Sequence, residues 1–158
     1  MTVTVCIIAY NEERTLPRLL ADFKKQDYPP EKTEILLIDS GSDDATMQVM
    51  RAFARENPQY LRVTVAENKK RTLAAGWNVA LGLFQEDVIL RIDAHARVPA
   101  DFLRKNMECL EGGEYVSGGP RPNLPERDTP WQRLLLMAEC SMFGSGIAQF
   151  RRENKKKY

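Results

Sequence analysis

The sequence predicts an α/β fold in which a mainly parallel sheet is covered by helices on both faces. Apolar segments rich in β-branched residues alternate with segments of helical spacing through about two thirds of the chain. The helical segments are about a dozen residues long, which suits right-handed βαβ units. The strand-like segments are nearly continuous apolar runs, which are typical of strands buried on both faces.

Five strands are predicted along the chain. Each is a short run rich in valine, isoleucine or leucine that is bounded by polar or glycine residues. In chain order the segments are TVTVCIIAY, EILLI, LRVTVA, DVILRID and a shorter EYVSGG.

Four helices are predicted from apolar residues spaced three or four positions apart, and a fifth helical segment, WQRLLLMAECSMF, is predicted after the Gly- and Pro-rich loop that begins near Gly118. Pro17 lies in the first of them and is compatible with a helix only in the first turn, where its missing N–H has no partner to lose. The third helix has the clearest apolar stripe. The residues that define the four helices are Leu16, Leu19, Leu20 and Phe23; Val49, Met50 and Phe53; Leu73, Trp77, Ala80, Leu81 and Phe84; and Phe102, Leu103, Met107 and Leu110.

The composition is that of an ordinary soluble globular protein with one core. The 158 residues carry a formal net charge of +1, so no strong field favours nucleic acid. No signal-peptide pattern opens the chain, and no apolar run is long enough to cross a bilayer. The irregularly spaced Cys6, Cys109 and Cys140 are expected to be buried thiols in a reducing compartment. These features predict a cytoplasmic protein with no nucleic-acid partner and no membrane segment.

Polar residues follow three predicted strands, at the edge where parallel sheets bind ligands. AYNEE follows the first strand, DSGSDD the second and DAHAR the fourth. Asp39 is expected to point into the crevice, where its carboxylate accepts hydrogen bonds from a ribose hydroxyl or a base N–H. Gly41 lets the loop bend back, so that a flat base lies against it. Asp43 or Asp44 is expected to cap the following helix.

The other polar residues near the predicted crevice are open to a binding role or a structural one. Asn11 is either a pocket residue or an N-cap, and Glu12 is either a pocket residue or a first-turn acid that complements the helix dipole. Arg71 is expected to receive a phosphate at a helix N-terminus, whereas Lys69 and Lys70 are expected to be solvated. Asn78 either lines the pocket or faces water.

The RIDAHA segment suggests a metal site. Asp93 ends an apolar strand and His95 follows two residues later, so in extended backbone both project to the same side. A carboxylate and an imidazole would then share one divalent cation that bridges a diphosphate, either Mg²⁺ or Mn²⁺. The alternative is that His95 is a polar residue with an ordinary hydrogen-bond partner.

Several common motifs are absent from the sequence. No G-x-G-x-x-G follows the first strand, no G-x-x-x-x-G-K-[ST] is present, and no G-x-S-x-G is present. These absences count against a standard dinucleotide fold, a P-loop ATPase and an α/β-hydrolase.

Four segments, in their order and spacing, resemble glycosyltransferase family 2. They are VCIIAYNEERTLPRLL, EILLIDSGSDDAT, NKKRTLAAGWNVAL and ILRIDAHARVP, and the resemblance covers roughly residues 3 to 120. RIDAHARVP, with GGPRP and FGSGIAQFR, is most similar to the bacterial branch that builds exopolysaccharides such as succinoglycan. The resemblance implies a GT-A fold, a three-layer sandwich, and a UDP-linked sugar donor.

The resemblance also implies the site residues. Asp39 matches the aspartate that contacts uracil, and Asp93 and His95 fall on the metal-binding D-x-D motif, where His95 replaces the second aspartate. The implied metal is Mn²⁺ or Mg²⁺. The implied nucleotide-sugar-binding residues are Ala9, Tyr10, Asn11, Glu12, Asp39, Gly41, Arg71, Asn78 and Ala94.

The resemblance predicts two parts of a GT-A domain. Residues 1–120 form the nucleotide-sugar-binding part, and residues 121–158 begin an incomplete acceptor part, so the chain is expected to be C-terminally truncated. The family's catalytic base has no match after Phe143, and no catalytic residue is assigned. The chain is therefore expected to bind the donor but scarcely to transfer the sugar; Glu126, Asp128 and Glu139 are the reserve candidates for the base.

The leading hypothesis is an inverting, metal-dependent glycosyltransferase that acts on a saccharide or lipid-linked acceptor, in the cytoplasm or at the inner face of the membrane. The alternatives are a nucleotide-sugar binding module without turnover and a nucleotidyltransferase. The latter would need a glycine-rich basic loop after the first strand, which AYNEERT does not match. Homo-oligomerisation is left open.

Overall fold

A computed structural model describes residues 1–119 and 129–141, without the side chains of residues 139 and 140. The chain divides into two compact units, Met1–Tyr115 and Val116–Tyr158, which are described separately. The candidates Glu126 and Asp128, and the side chain of Glu139, lie outside the described part of the chain.

The first unit is built on a four-stranded parallel sheet. The strands are β1 (Val3–Ala9), β2 (Thr33–Asp39), β3 (Arg62–Glu67) and β4 (Val88–Asp93), in the spatial order β3-β2-β1-β4. In the register of the sheet Ala9 pairs with Asp39, and Ile8 pairs with Asp93 on the other side. The carboxyl ends of these three strands therefore lie side by side.

Four helices belong to this unit: α1 (Leu16–Phe23), α2 (Thr46–Glu56), α3 (Leu73–Leu83) and α4 (Phe102–Glu111). A short 3₁₀ turn, Pro30–Lys32, precedes β2. Pro17 lies in the first turn of α1, as predicted.

Helices cover the sheet on both faces. Strand residues at odd positions, such as Ile7 and Leu37, join a core with α1, α2 and Leu103 of α4, whereas the even-numbered Leu36 and Ile38 pack with Ala80 of α3. This alternation follows from the two-residue period of a strand. All seven residues of β2 are buried, and each fully buried Leu or Ile contributes about 1.5–3 kcal/mol. The predicted α/β sandwich with a parallel sheet is confirmed.

The helix α3 is confirmed, and its predicted apolar stripe is confirmed in part, because Ala80 is buried and Trp77 packs against the core. Leu73 and Leu81 are 53% and 58% exposed, and the buried positions are Gly76 and Ala80. A Cβ at Gly76 would lie 3.1 Å from two carbon atoms of Ile8. The helix therefore approaches the sheet most closely through its small residues, while Trp77 and Val79 pack at the side of the contact and Leu73 and Leu81 are exposed.

The predicted fifth strand is wrong. Residues 114–119 form no strand, and Tyr115 and Val116 are 98% and 85% exposed. A strand needs a neighbour for its backbone N–H and C=O groups, and no described strand pairs with this segment.

The cysteine prediction is partly confirmed. Cys6 is buried, and desolvation raises the pKa of its thiol to about 12, so it is protonated and unreactive at neutral pH. Cys109 is exposed rather than buried.

The second unit contains one described helix, α5 (Pro130–Cys140). Thr129 caps it by accepting a 3.2 Å hydrogen bond from the Gln132 N–H, and Pro130 occupies the first turn. Among residues 1–119 and 129–141, no helix has both the length and the apolar character that a bilayer crossing requires.

Candidate functional site

The sheet topology creates a crevice at the end of β1. The chain proceeds from β1 to β2 and β3 in one direction, and β4 lies on the other side of β1. Such a switch point leaves room for a ligand between the loops that follow the strands. Ala9, Asp39 and Asp93, predicted as site residues, lie at this edge.

The loops that follow β1 and β2 are joined by hydrogen bonds. Asn11, at a φ of 55°, donates its N–H to Ser42 Oγ at 3.0 Å, and its Oδ1 accepts from the Asp43 N–H at 2.9 Å. The N-cap interpretation of Asn11 is wrong, because Thr15 occupies the N-cap position of α1. The left-handed conformation, which asparagine tolerates, instead turns both polar groups of Asn11 toward the second loop.

Three further hydrogen bonds extend this junction. The Glu12 N–H donates to Thr46 Oγ1 at 2.8 Å, the Glu13 N–H to Asp44 Oδ2 at 3.1 Å, and the Ala45 N–H to Glu13 Oε2 at 3.1 Å. Together with the bonds of Asn11 they fix the two loops as one rim.

Asp39 lies at the tip of β2 and is buried. Its Oδ2 accepts hydrogen bonds from the N–H groups of Gly41 at 3.0 Å and Ser42 at 3.1 Å. These bonds close the loop after β2 and do not cap α2, which begins at Thr46 with Ala45 at its N-cap position. Gly41 adopts a φ of 76°, which bends the loop back over the carboxylate. Oδ1 has only a long 3.4 Å contact with the Ser42 N–H and retains capacity to accept another hydrogen bond.

Asp44 lies one residue before Ala45, the N-cap position of α2, and still supplies the acceptor that was predicted for the start of this helix. Its Oδ1 accepts hydrogen bonds from the N–H of Thr46 at 2.9 Å and from its hydroxyl at 2.5 Å. A carboxylate there also complements the positive end of the helix dipole.

A cleft of about 270 Å³ opens beside Asp39, between the loops that follow β2 and β3. The Arg71 guanidinium lies against Gly41, and Arg71 itself has a φ of 57°. Its Nη2 is 3.8 Å from Asp43 Oδ1. The residues that line the cleft are Asp39, Gly41, Ser42, Met47, Glu67, Asn68, Lys69 and Arg71. Lys69, expected to be merely solvated, is among them.

Asn68 is a cleft residue that the sequence did not indicate. Its buried side-chain amide donates to Ser40 Oγ at 3.0 Å and to the Thr72 C=O at 2.8 Å, while its N–H donates to the Asp39 C=O at 2.7 Å. It thereby fixes the distance between the β2 loop and the start of α3. A polar residue directly after a predicted strand was the available signal.

Two predicted pocket residues are exposed. Tyr10 lies at the rim beside Asn11, and Asn78 lies in the middle of α3, away from the hydrogen bonds that join the loops. Their assignment as binding residues remains a prediction.

Asp93, Ala94 and His95 form the third side of the crevice. Asp93 Oδ1 lies 3.3 Å from Arg91 Nη2, and the Asp93 C=O accepts from the Ala96 N–H at 2.9 Å. The chain therefore turns after Asp93 and is not extended, so the reason given for Asp93 and His95 projecting to one side does not hold. Ala94 is buried, and His95 is exposed with its Nδ1 3.3 Å from Glu12 Oε1.

The Glu12 carboxylate connects this third side to α1. Its Oε2 accepts a hydrogen bond from the Thr15 hydroxyl, and its Oε1 faces His95. The Glu12 C=O also accepts the N–H groups of Thr15 and Leu16 at 3.1 and 2.9 Å. Glu12 is therefore both part of the first turn before α1 and a neighbour of the His95 ring.

The chain after His95 is attached to α1 by an ion pair. Arg97 donates Nε and Nη2 to the two carboxylate oxygens of Asp22, at 2.5 and 2.8 Å. These hydrogen bonds lower the pKa of the Asp22 carboxyl below its ordinary value. Asp22 is therefore ionised at neutral pH despite its burial.

The glycosyl transferase family 2 model matches residues 4–158, almost the whole chain. The chain belongs to this family. The succinoglycan branch stays a prediction, because the matching curated enzymes described next are named for lipid-linked substrates.

Two curated family 2 relatives illustrate the match. An undecaprenyl-phosphate 4-deoxy-4-formamido-L-arabinose transferase of Pseudomonas syringae is 30% identical over 138 residues, covering 83% of this chain and 38% of that enzyme. A dolichyl N-acetyl-alpha-D-glucosaminyl phosphate 3-beta-D-2,3-diacetamido-2,3-dideoxy-beta-D-glucuronosyltransferase of Methanococcus voltae is 29% identical over 109 residues, covering 69% of this chain and 34% of that enzyme. The chain thus spans well under half the length of these relatives.

Solved structures share the fold of this family 2 chain. A mannosyltransferase from Pyrobaculum calidifontis in complex with GDP-Man and Mn²⁺ superposes with a TM-score of 0.64 at 28% identity, over 86% of this chain and 38% of that one. S. aureus TarS 1–349 in complex with UDP-GlcNAc gives a TM-score of 0.63 at 21% identity, over 82% and 37%. These neighbours are GT-A glycosyltransferases, which confirms the predicted fold class.

Proposed function

We propose that this chain is the donor-binding part of an inverting, divalent-metal-dependent glycosyltransferase that uses a UDP-linked sugar. The observation that supports this most directly is the crevice at the switch point. It has the Asp39 carboxylate at one end, and at the other it has Asp93 at the tip of β4 and the His95 ring, which lies 3.3 Å from the Glu12 carboxylate.

The nucleoside is proposed to bind in the cleft beside Asp39. Uracil presents one N–H between two carbonyl groups, so a single acceptor flanked by donors matches it. Asp39 Oδ1 retains acceptor capacity, while Arg71 and Lys69 at the same cleft supply donors and positive charge for carbonyl and phosphate oxygens.

The side chains near β4 fit a divalent cation chemically. Asp93, His95 and Glu12 offer carboxylate oxygens and an imidazole nitrogen, which are suitable donors for Mn²⁺ and acceptable ones for Mg²⁺. Within residues 1–119 and 129–141 no three His, Cys, Asp or Glu side chains already converge on one point. Asp93 and His95 would therefore hold the ion together with diphosphate and water oxygens, which is a common arrangement for Mg²⁺. A bound cation would neutralise negative charge on the departing diphosphate.

The protein's contribution to transfer is to orient the donor. The joined loops after β1 and β2 and the cleft residues fix the nucleotide, so that the anomeric carbon faces an acceptor hydroxyl for in-line attack. A general base that removes the hydroxyl proton contributes typically 10²–10⁴-fold in rate. No residue is assigned to that role here.

The acceptor is proposed to be a polyprenyl-phosphate-linked or other lipid-linked saccharide of bacterial polysaccharide synthesis. Both curated relatives carry a polyprenyl phosphate in their names. A water-soluble donor and a lipid-held acceptor meet at the membrane surface, so we propose that the chain works at the cytoplasmic face.

Calorimetric titration of nucleotides tests the proposal. UDP should bind more tightly with Mn²⁺ or Mg²⁺ than with EDTA, and Asp93→Asn should abolish that difference. Glu56→Gln is a matched control, because it removes one carboxylate charge from the exposed end of α2. Equal UDP affinity with and without metal would remove the metal role, and tighter binding of GDP than UDP would overturn the donor assignment. In any preparation of the protein that shows transfer, incorporation of labelled sugar into an organic-solvent extract, rather than into water-soluble polymer, would identify a lipid-linked acceptor.

A further inference from the structure

We propose that Asp22 is a positioning residue that holds the loop of Asp93 and His95 in place through Arg97. The inference rests on the proposed function, because it assigns the purpose of a remote ion pair to the proposed metal site. Asp22 lies near the end of α1, and its carboxylate accepts hydrogen bonds from Arg97 and Val98.

The loop that leaves β4 has little structure of its own. After the turn that joins Asp93 to Ala96, residues 97–99 belong to neither helix nor strand, and the bonds that begin α4, from the Phe102 N–H to the Pro99 C=O and from the Lys105 N–H to the Asp101 C=O, lie at the far end of the loop. Its position is therefore determined by what it is attached to, and the attachments come from α1 and the turn that follows it.

Asp22 supplies the first attachment. Besides the paired bond to the Arg97 guanidinium, its Oδ2 accepts a 3.4 Å hydrogen bond from the Val98 N–H. Bidentate carboxylate–guanidinium pairing fixes orientation as well as distance. Asp22 thus fixes both the backbone and a side chain two or three residues after His95.

Gln26 and Asp27 supply the remaining attachments. Gln26 Nε2 donates to the Pro99 C=O at 2.7 Å, and Gln26 Oε1 accepts from the Leu103 N–H at 2.9 Å. The Asp27 N–H donates to the Ala100 C=O at 2.9 Å. The loop is therefore held from residue 97 to the first turn of α4.

Burial of the carboxylate distinguishes the Asp22–Arg97 pair from the Arg104–Asp27 pair nearby, whereas the Arg97 side chain is 53% exposed. The side chain of Asp22 is 7% exposed, whereas Arg104 and Asp27, which also join the α1 end to α4, are 41% and 42% exposed. A buried carboxylate without its partner is strongly unfavourable, whereas an exposed pair contributes little. Of these two ion pairs, the Asp22–Arg97 pair is therefore the one expected to hold its part of the loop firmly.

The His95 end of the loop is held from the opposite end of α1. Glu12, which begins the turn before α1, contacts His95 Nδ1, and Asp22 near the end of α1 holds Arg97. One short helix thus spans both attachments, and loss of the Asp22 contact releases the segment between them. The proposed metal ligands would then need to be ordered by the ion itself, at a cost in affinity.

The test compares Asp22→Asn and Arg97→Lys in the full chain with Arg104→Ala as the matched control. Calorimetry measures UDP affinity in EDTA and the Mn²⁺ concentration that half-saturates the enhancement of UDP binding. We expect Asp22→Asn and Arg97→Lys each to raise the half-saturating Mn²⁺ concentration about 10-fold, which is the usual effect of changing a residue that supports a metal ligand. Their UDP affinity in EDTA should be unchanged. Arg104→Ala should match the wild type in both.

Amide hydrogen exchange without ligand provides a readout that does not depend on nucleotide binding. Exchange at residues 94–100 should rise at least several-fold in Asp22→Asn and Arg97→Lys, while residues 40–44 stay as protected as in the wild type. Wild-type Mn²⁺ dependence in both variants would overturn the proposal, as would unchanged exchange at 94–100 or an equal loss of UDP affinity in EDTA. Failure of the wild type to bind UDP under any condition, with exchange at 94–100 still raised in the variants, would instead overturn the proposed function and leave Asp22 a purely structural anchor.

Discussion

The Arg71 guanidinium lies so close to Gly41 that a Cβ at position 41 would be 2.5 Å from Arg71 Nε. Gly41 also has a φ of 76°, a conformation that side chains other than glycine rarely adopt. The absence of a side chain at position 41 thus determines both the path of the loop after β2 and the position of the Arg71 guanidinium beside the cleft.

Gly41→Ala should weaken nucleotide binding and the fold together. The left-handed backbone costs about 1–2 kcal/mol with a Cβ, and displacement of Arg71 should reduce UDP affinity by about 10-fold. Gly82→Ala is the control, because it lies in α3 with no neighbour within 4 Å. It should raise stability by about 0.5–1 kcal/mol, as replacing glycine in a helix usually does, without changing UDP affinity. Calorimetry and urea unfolding measure both quantities; wild-type UDP affinity in Gly41→Ala would contradict this account of Arg71.

Asp39→Ala should destabilise the protein as well as weaken UDP binding. The two backbone N–H groups that Oδ2 satisfies would lose their acceptor, at a cost of about 1–3 kcal/mol. Asp39→Asn keeps one acceptor oxygen and should lose less stability, yet it should still bind UDP poorly if the ionised carboxylate reads the base. Urea unfolding and calorimetry separate the two effects. Equal stability of Asp39→Ala and wild type would show that the loop does not need this carboxylate.

The Asp22–Arg97 pair should make stability depend on pH in acid. Since the folded pKa of Asp22 is lowered, its ionised form stabilises the fold at pH values above the ordinary value of about 3.9, and this contribution is lost as pH falls through the folded pKa. Asp22→Asn should therefore be less stable than the wild type at pH 7, by about 1.5–3 kcal/mol, with the gap narrowing below about pH 4. Urea unfolding at pH 7 and pH 3 checks this. If the difference in unfolding free energy between the two proteins is the same at pH 7 and pH 3, the charge of Asp22 does not contribute to stability.

Gly76→Val should be among the most damaging changes in α3. A Cβ there already lies 3.1 Å from Ile8 and 3.3 Å from the Asn68 amide, so further methyl groups would push the helix from the sheet. Overpacking of this kind costs about 1–3 kcal/mol. Leu81→Ala, at an exposed position on the same helix, should change the unfolding free energy by about 0.5 kcal/mol or less. If thermal unfolding shows Leu81→Ala to be less stable than Gly76→Val, the buried face of α3 lies elsewhere.

The strands and the order of polar loops could be predicted because their signals are local. A run such as EILLI ending at Asp39 specifies a buried strand and places a carboxylate at its tip. Apolar periodicity predicted Ala80 on the buried face of α3 but not Gly76, since the close approach to β1 at that position selects a residue without a side chain.

The contacts within the site were less predictable than its location. Asn11 and Glu13 bind the loop after β2, and those partners depend on strand register and on backbone angles that the sequence does not reveal. The same applies to Asp39, whose bonds to its own loop follow from the φ of Gly41. The turn after Asp93 likewise replaced the extended backbone expected there.

The junction between the loops after β1 and β2 also bears on the order of events in folding. Its bonds from Asn11 to Ser42 and from Glu12 to Thr46 join residues 31 and 34 positions apart in sequence. Closing such a loop costs chain entropy before the contacts are gained, so the rim forms only once β1 and β2 have paired around α1. Nucleotide affinity should therefore emerge late in refolding, with the completed sheet, and a stopped-flow signal from bound nucleotide would report the native state rather than a collapsed intermediate.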